Sequence, residues 1–429
     1  MRFQSKGLPL QRKTNIDTMV INLIAFASML HPETTVRRCH EIILAELEKY
    51  FTVRLVDYRE MSRLKPDDFA LVFIATGGVE RLVIQHFEQL PRPVLLLADG
   101  MQNSLAAALE ISAWLQARGM KCEILHGELS KVIKRIFVLH ANFKAQRRLA
   151  GSRIGVIGTP APWLIASEAD YLLSKQRWGI EYVDIPLERV CEYYRQVTDD
   201  EIGEACAHLA TRALACREAT PDDMLKAMRL YRAIRRIVDE DRLTGLTLSC
   251  FRLLEETDTT GCLALALLND EGIPAACEGD LQAIFTMLAV KAMTGKESFM
   301  GNPSLVNTHT NEVVLAHCTI GLKLTDRFVL RSHFETKKGI GIQGLAPTGE
   351  VTLVKCGGEC LDEYYLTTGT LTENTNYLNL CRTQVRIQLN SSADYFLKNP
   401  LGNHHIVLQG NYELMMDDFF QTNGCRRRK

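Results

Sequence analysis

Two carboxylates interrupt the apolar segment "GIPAACEGDLQAIFTML", residues 272–288. "IPAAC" predicts a buried strand, and "LQAIFTMLAVKAMTG" predicts a nearly all-apolar helix that ends at Gly295. Glu278 and Asp280 then lie at the carboxyl end of the strand, where open α/β sheets bind ligands. Asp280 directly precedes the helix and is predicted to cap it. Glu278 lies between two buried elements, where a carboxylate needs a metal or another cation as partner. We therefore interpret Glu278 as a metal ligand.

Histidines are common companions of a metal-bound carboxylate, and the sequence has eleven of them. Three places stand apart from helical positions: His317 ends "EVVLAH", His333 lies in "RSHFE", and His404 and His405 follow "NPLGN". A single strand histidine is more often structural than a ligand. A turn that ends in two histidines is more informative, but successive strand residues point to opposite faces. Only one of the pair can face the site, and the sequence leaves open which.

These residues belong to a chain of 429 residues, 46% hydrophobic and 24% charged, which is typical of a globular protein with two or three domains. Short apolar runs alternate with amphipathic helices in the first part, a pattern that predicts a doubly wound, flavodoxin-like α/β domain with a parallel sheet. The pattern starts again near Arg153, and it is followed by short β-branched runs that predict a β-rich, barrel-like domain. We predict domains at residues 15–150, 151–296 and 297–429.

Charge and composition exclude several classes of function. Fifty basic and fifty-one acidic residues leave a net charge of −1, which predicts neither nucleic-acid nor membrane binding. Thirteen scattered cysteines indicate reduced thiols and a cytoplasmic location. The run "MVINLIAFASML" has the length of a signal-peptide core, but Asp17 and Asn22 favour a first buried strand, with secretion as the alternative. The glycine turns in "TGGVE" and "GVIG" do not complete a nucleotide-binding motif. The hypothesis of a nucleotide-dependent oxidoreductase is therefore supported by the predicted α/β fold alone.

Four segments occur in the order found in the L-fucose isomerase and L-arabinose isomerase superfamily: "ACEGD", "TGKESFMGNPSLVN", "NEVVLAHC" and "GNHHIVLQG". From about residue 150 to 410 the chain resembles this superfamily and its short L-fucose isomerase-related members. The resemblance implies two α/β domains and a β-rich domain, in a trimer or hexamer with active sites at subunit interfaces. It also implies a divalent cation, usually Mn²⁺, and aldose–ketose isomerisation of a free sugar through a cis-enediol.

The resemblance also assigns roles to residues. It places Glu278 at the first metal-binding glutamate, which also transfers a proton, and His404 at the C-terminal metal ligand, with His405 as the alternative. His317 matches a strand histidine of the arabinose-type members. The superfamily's second catalytic carboxylate falls in "SFMGNP", where this chain has Asn302. An asparagine can ligate a metal through its carbonyl oxygen, but it cannot act as a base.

The missing acid leaves several interpretations open. Asp280 or Glu312 takes its role, Glu278 acts with a metal-bound water, or the protein is a non-catalytic sugar-binding relative. An anionic substrate also favours fewer carboxylates in the site, because like charges repel. A sulfonated sugar such as sulfoquinovose, or a uronic sugar, is therefore an alternative substrate. The residues that could hold its charge, unless they form an ordinary solvated loop, are Arg331, His333, Lys337, Lys338 and Arg382.

Overall fold

The computed structural model describes residues 19–28 and 33–429, apart from the side chains of residues 33–35, 250 and 251. Asp17, the basic N-terminal stretch and the predicted domain start at residue 15 lie outside the described residues. In the part of the chain that is described, no helix has both the length and the apolar composition needed to cross a membrane.

The chain divides into two compact units, residues 1–144 and 145–429. The predicted boundary between residues 150 and 151 lies close to this division. The predicted boundary between residues 296 and 297 falls inside the second unit, so a separate third domain stays a prediction.

The first unit contains a five-stranded parallel sheet with helices between its strands. The strand order β2-β1-β3-β4-β5 is that of flavodoxin-like folds, as predicted. Every residue of β3 and β4 is buried, as a sheet covered on both faces requires. The strands are β1 (Val20–Phe26), β2 (Thr52–Asp57), β3 (Ala70–Ile74), β4 (Val94–Leu97) and β5 (Cys122–Leu125). The helices that begin in this unit are α1 (Glu33–Cys39), α2 (Glu41–Glu48), α3 (Glu80–Gln85), α4 (Ser104–Gln116) and α5 (Leu129–Leu149).

The second unit begins with a four-stranded parallel sheet in the order β10-β9-β6-β7, so the second α/β fold is also as predicted. Its strands are β6 (Arg153–Ile157), β7 (Glu181–Ile185), β9 (Gly245–Leu248) and β10 (Ala275–Cys277), while β8 (Cys216–Arg217) pairs elsewhere. The helices of this part are α6 (Tyr171–Trp178), α7 (Leu187–Gln196), α8 (Asp199–Arg212), α9 (Pro221–Glu240), α10 (Cys250–Thr257), α11 (Cys262–Asp270) and α12 (Leu281–Thr294).

The rest of the chain forms the predicted β-rich part, a closed antiparallel barrel of six strands in the order β15-β18-β11-β12-β17-β16, with β16 pairing back to β15. Its strands are β11 (Phe299–Asn307), β12 (Glu312–His317), β15 (Gly349–Gly357), β16 (Glu363–Asn374), β17 (Thr383–Leu389) and β18 (His405–Gln409). The short β19 (Arg426–Arg427) pairs with β16, and β13 (Arg327–Arg331) and β14 (Gly341–Leu345) form a small sheet with β8. The helices here are α13 (Tyr395–Lys398) and α14 (Glu413–Thr422).

Helix α12 explains the apolar sequence that follows Asp280. Twelve of its 14 residues are buried, and they share one core with both the parallel sheet and the barrel strands. A helix that is apolar on all sides must be buried on all sides. Its N-terminus therefore holds Glu278 and Asp280 in the interior, beside the barrel.

Candidate metal centre and cavity

The turn between β10 and α12 positions Glu278. Glu278 has φ +65° and Gly279 has φ +74°, so two successive residues are left-handed. A Cβ on Gly279 would lie 2.5 Å from the Cα of Pro160, so this position requires glycine. The carbonyl oxygen of Glu278 accepts a hydrogen bond from the backbone N–H of Ala161 at 2.8 Å. The turn is thereby held against the loop that follows β6.

Asp280 has two hydrogen-bonding roles and no exposed surface. Its Oδ1 accepts from the N–H of Ala283 at 2.7 Å, which confirms the predicted helix cap. Its Oδ2 lies 2.8 Å from Nδ1 of His404. Burial raises the pKa of Asp280, but the charges of Lys355 and His404 outweigh it and lower the pKa. Asp280 is therefore an ionised acceptor that orients His404.

His404 faces Glu278, and His405 does not. With Nδ1–H of His404 donating to Asp280, its Nε2 is buried, has no hydrogen-bond partner among the described residues and lies 3.6 Å from Oε1 of Glu278. His405 points the other way: its Nδ1 donates to the carbonyl oxygen of Asn403 at 2.7 Å, and its Nε2 accepts from the Tyr395 hydroxyl at 3.0 Å. Of the two histidines, His404 is therefore the one that faces Glu278, and its role as a metal ligand stays a prediction.

Glu278, His317 and His404 form a group that could hold a metal ion, since one ligand atom from each lies within 4.8 Å of the others. Glu278 Oε2 accepts from the Trp163 indole N–H at 2.7 Å. Burial raises the pKa of Glu278, but the neighbouring His404 outweighs it and lowers the pKa to about 2. Burial, followed by the charge of His404, lowers the pKa of His317 to about 4. His317 is thus neutral at pH 7, the form in which imidazole binds metals.

Asn302 lies beside this group. Strand β11 runs between β12 and β18, and it pairs Asn302 with Ala316 and Gly301 with His405. The side-chain oxygen Oδ1 of Asn302 is buried without a hydrogen-bond partner among the described residues. Two buried polar atoms, Asn302 Oδ1 and His404 Nε2, thus have no hydrogen-bond partner among the described residues. Together with a carboxylate and a second imidazole, they fit a first-row divalent cation.

The candidate metal group opens into a cavity of about 560 Å³. This volume lies within the range of small-molecule sites. In the described part of the second unit, no lysine or arginine lines the cavity, and its acidic residues are Glu278 and Glu335. The lining residues are Trp163, Leu254, Thr260, Cys262, Cys277, Glu278, Asn302, Ser304, His317, Cys318, His333, Phe334, Glu335, Thr336, Leu380, Cys381 and Asn403.

The predicted anion-binding residues are only partly at this cavity. His333 lines it, whereas Arg331, Lys337, Lys338 and Arg382 do not. Those four basic groups instead contact acidic side chains or carbonyl oxygens. The partners are Glu218 for Arg331, Asp258 for Lys338, the carbonyl oxygen of Phe334 for Lys337, and the carbonyl oxygen of Ser332, at 2.8 Å, for Arg382.

Neither proposed substitute for the missing acid reaches the cavity wall. Asp280 lies behind His404 with both carboxylate oxygens occupied. Glu312 begins β12, whereas His317 ends it, so the two Cα atoms are about 16 Å apart at the usual rise of a strand. Two residues of the cavity wall, Trp163 and Glu335, are not predicted from the sequence. Both lie in loops, and no local pattern marks them.

No family model matches the chain. A similar protein is the sulfoquinovose isomerase of Clostridium sp. (strain MSTE9), which is 28% identical over 143 residues. The match covers 33% of this chain and 32% of that protein, so the chain matches about a third of the relative's length.

Proposed function

We propose that this protein is a divalent-metal-dependent aldose–ketose isomerase that acts on a free monosaccharide through a cis-enediol. The observation that carries the proposal is the group formed by Glu278, His317 and His404, of which Glu278 and His317 line one sugar-sized cavity together with Asn302. The similarity to a sulfoquinovose isomerase supports the same reaction class. The proposal includes Mn²⁺ as the cation and a cytoplasmic homo-oligomer, a trimer or hexamer, as the sequence resemblance implies.

The residues of the chain have separable tasks in this reaction. When bound, Mn²⁺ supplies Lewis-acid stabilisation of the negative charge that develops on neighbouring sugar oxygens. Asp280 keeps the proton of His404 on Nδ1, so that Nε2 remains a ligand. The Trp163 indole fixes one oxygen of Glu278 and leaves Oε1 on the side of His404.

The cavity favours an uncharged sugar. Its described wall contains two glutamates and neither lysine nor arginine, so beyond the bound Mn²⁺ the described wall supplies no countercharge for a sulfonate. The name of the relative favours the second candidate, a sulfonated aldose. We place the neutral aldose first, because the wall of the cavity belongs to this chain, whereas the relative matches only a third of it.

A sugar panel tests both candidates. Protein stripped of metal and reloaded with Mn²⁺ is incubated with neutral aldoses and with sulfoquinovose, and ketose formation is followed by NMR. We expect conversion of at least one neutral aldose, with loss of activity in Glu278→Gln. Glu359→Gln, the same change on an exposed turn outside the cavity, serves as control.

Three results would contradict the proposal in different ways. Conversion of sulfoquinovose alone would replace the neutral substrate by the sulfonated one. Thermal stabilisation by a sugar without any conversion would identify a sugar-binding protein instead. Full turnover and unchanged metal content in Glu278→Gln would refute the assigned centre.

A further inference from the structure

The cavity contains a second carboxylate that belongs to none of the assignments above. Glu335 lies in the turn between β13 and β14 and lines the same cavity as Glu278 and Asn302. Its side chain is exposed, and among the described residues it has no hydrogen-bond or ion-pair partner. A carboxylate without a structural role at the wall of a reaction cavity is available for substrate.

The turn that carries Glu335 is held in place. The backbone N–H of His333 donates to the carbonyl oxygen of Lys338, and the N–H of Lys337 donates to the carbonyl oxygen of His333, both at 3.0 Å. Gly339 has φ +61°, and a Cβ there would lie 2.6 Å from the backbone nitrogen of Thr260, which also lines the cavity. The turn therefore packs closely against Thr260 in the cavity wall, and these contacts hold the backbone that carries Glu335.

One sugar can reach both carboxylates. A volume of about 560 Å³ corresponds to a sphere about 10 Å across, which is the scale of a single monosaccharide with its contact shell. Because Glu278 and Glu335 line one cavity of this size, a sugar held at Glu278 lies within reach of the turn that carries Glu335.

Isomerisation needs a group that takes a proton from one sugar carbon and returns it to the next. Asn302 cannot accept a proton, and Asp280 is buried behind His404. His333 lines the cavity, but its Nδ1 accepts from the N–H of Thr336 at 3.4 Å. The hydroxyl of Thr336 also lies 3.3 Å from Nδ1, so this nitrogen is engaged in the turn.

We propose that Glu335 is the second catalytic carboxylate of the isomerase, a role that rests on the function proposed above. The Glu335 carboxylate takes the proton from C2 of the aldose, the C2–H bonding pair forms the C1=C2 double bond, and the carbonyl oxygen O1 gains a proton. The proton on O1 comes from water, and the O2 hydroxyl then returns a proton to water as C2=O forms and the C1=C2 bonding pair takes the proton of Glu335 at C1. Atoms and electrons balance without an oxidant or another net reactant.

The test compares Glu335→Gln, Glu335→Asp and the exposed control Glu359→Gln in the Mn²⁺-loaded protein, on the aldose that the wild type converts. We expect Glu335→Gln to lower kcat by roughly 10²–10⁴-fold. KM and Mn²⁺ affinity by calorimetry should change by less than about threefold, and Glu335→Asp should restore part of kcat. In D₂O, the variant should also lose incorporation of deuterium from solvent at C1 of the ketose.

The possible failures are distinct. If Glu335→Gln keeps kcat within threefold of the wild type, or raises KM alone, Glu335 does not transfer the proton. Equal loss in Glu335→Asp and Glu335→Gln, with deuterium exchange intact, would also overturn the assignment. If the wild type converts no sugar, the isomerase itself fails, and the role of Glu335 fails with it.

Discussion

The substitution Asp280→Asn isolates the link between helix capping and the metal centre. Two donors converge on Asp280: the N–H of Ala283 at 2.7 Å and Nδ1–H of His404 at 2.8 Å. Asparagine keeps the shape but has only one acceptor oxygen, and its amide nitrogen is a donor. If the oxygen caps the helix, the amide group faces Nδ1 of His404, and the imidazole must move its proton to Nε2. The lone pair that faces Glu278 is then lost.

The expected magnitudes follow from these contacts. Changing a partner that orients a metal-ligating histidine typically costs 10–100-fold in metal affinity, or about 1.4–2.7 kcal/mol. Asp280 is fully buried, and Lys355, also buried, loses a nearby negative charge. Losing a charge-assisted hydrogen bond and leaving a buried cation uncompensated should lower the free energy of unfolding by about 2–4 kcal/mol.

The assay is calorimetric titration of the metal-free protein with Mn²⁺, together with denaturant unfolding in EDTA. Asp170→Asn is the matched control, because Asp170 caps α6 through the N–H of Leu173 at 2.8 Å and the capping bond survives the change. We expect the control to bind Mn²⁺ like the wild type. Equal Mn²⁺ affinity in Asp280→Asn and the wild type would refute the argument that Asp280 selects the tautomer of His404.

Two further substitutions test the surroundings of the centre. Gly279→Ala should lower the free energy of unfolding by about 2–4 kcal/mol in denaturant unfolding, because its Cβ would lie 2.5 Å from the Cα of Pro160. The control Gly295→Ala also has a positive φ, +69°, but lies in open space and should cost only about 1 kcal/mol. Equal losses in the two variants would contradict the close contact at Gly279. Burial, then the charge of Lys355, lowers the pKa of His405 from 6.5 to about 3, so its stabilising contribution is complete above pH 6.5 and is lost as the pH falls from 6.5 to 3. As the pH falls from 6.5 to 3, the free energy of unfolding of His405→Gln should therefore fall less steeply than that of the wild type. Parallel curves for the variant and the wild type would exclude His405 as the titrating group.

The order and type of the secondary-structure elements depend mainly on neighbouring residues, so the sequence predicts them well. Alternating apolar runs and amphipathic helices predicted both parallel sheets, and short β-branched runs predicted the barrel. Strand β11 was missed, because glycine, asparagine and Pro303 resemble a turn. The strand accommodates Pro303 through a register shift between Pro303 and Leu305, as irregular strands do.

The sequence by itself determined that Glu278 follows a buried strand and that Asp280 caps the next helix, since both depend on neighbouring residues. Only the tertiary structure decided that His404 and not His405 faces Glu278, because the pairing of β18 in the barrel selects the face each side chain occupies. The tertiary structure also placed Glu335 on the cavity wall and the predicted arginines away from it. A cavity wall is assembled from segments far apart in the chain, and no local pattern records which of them meet.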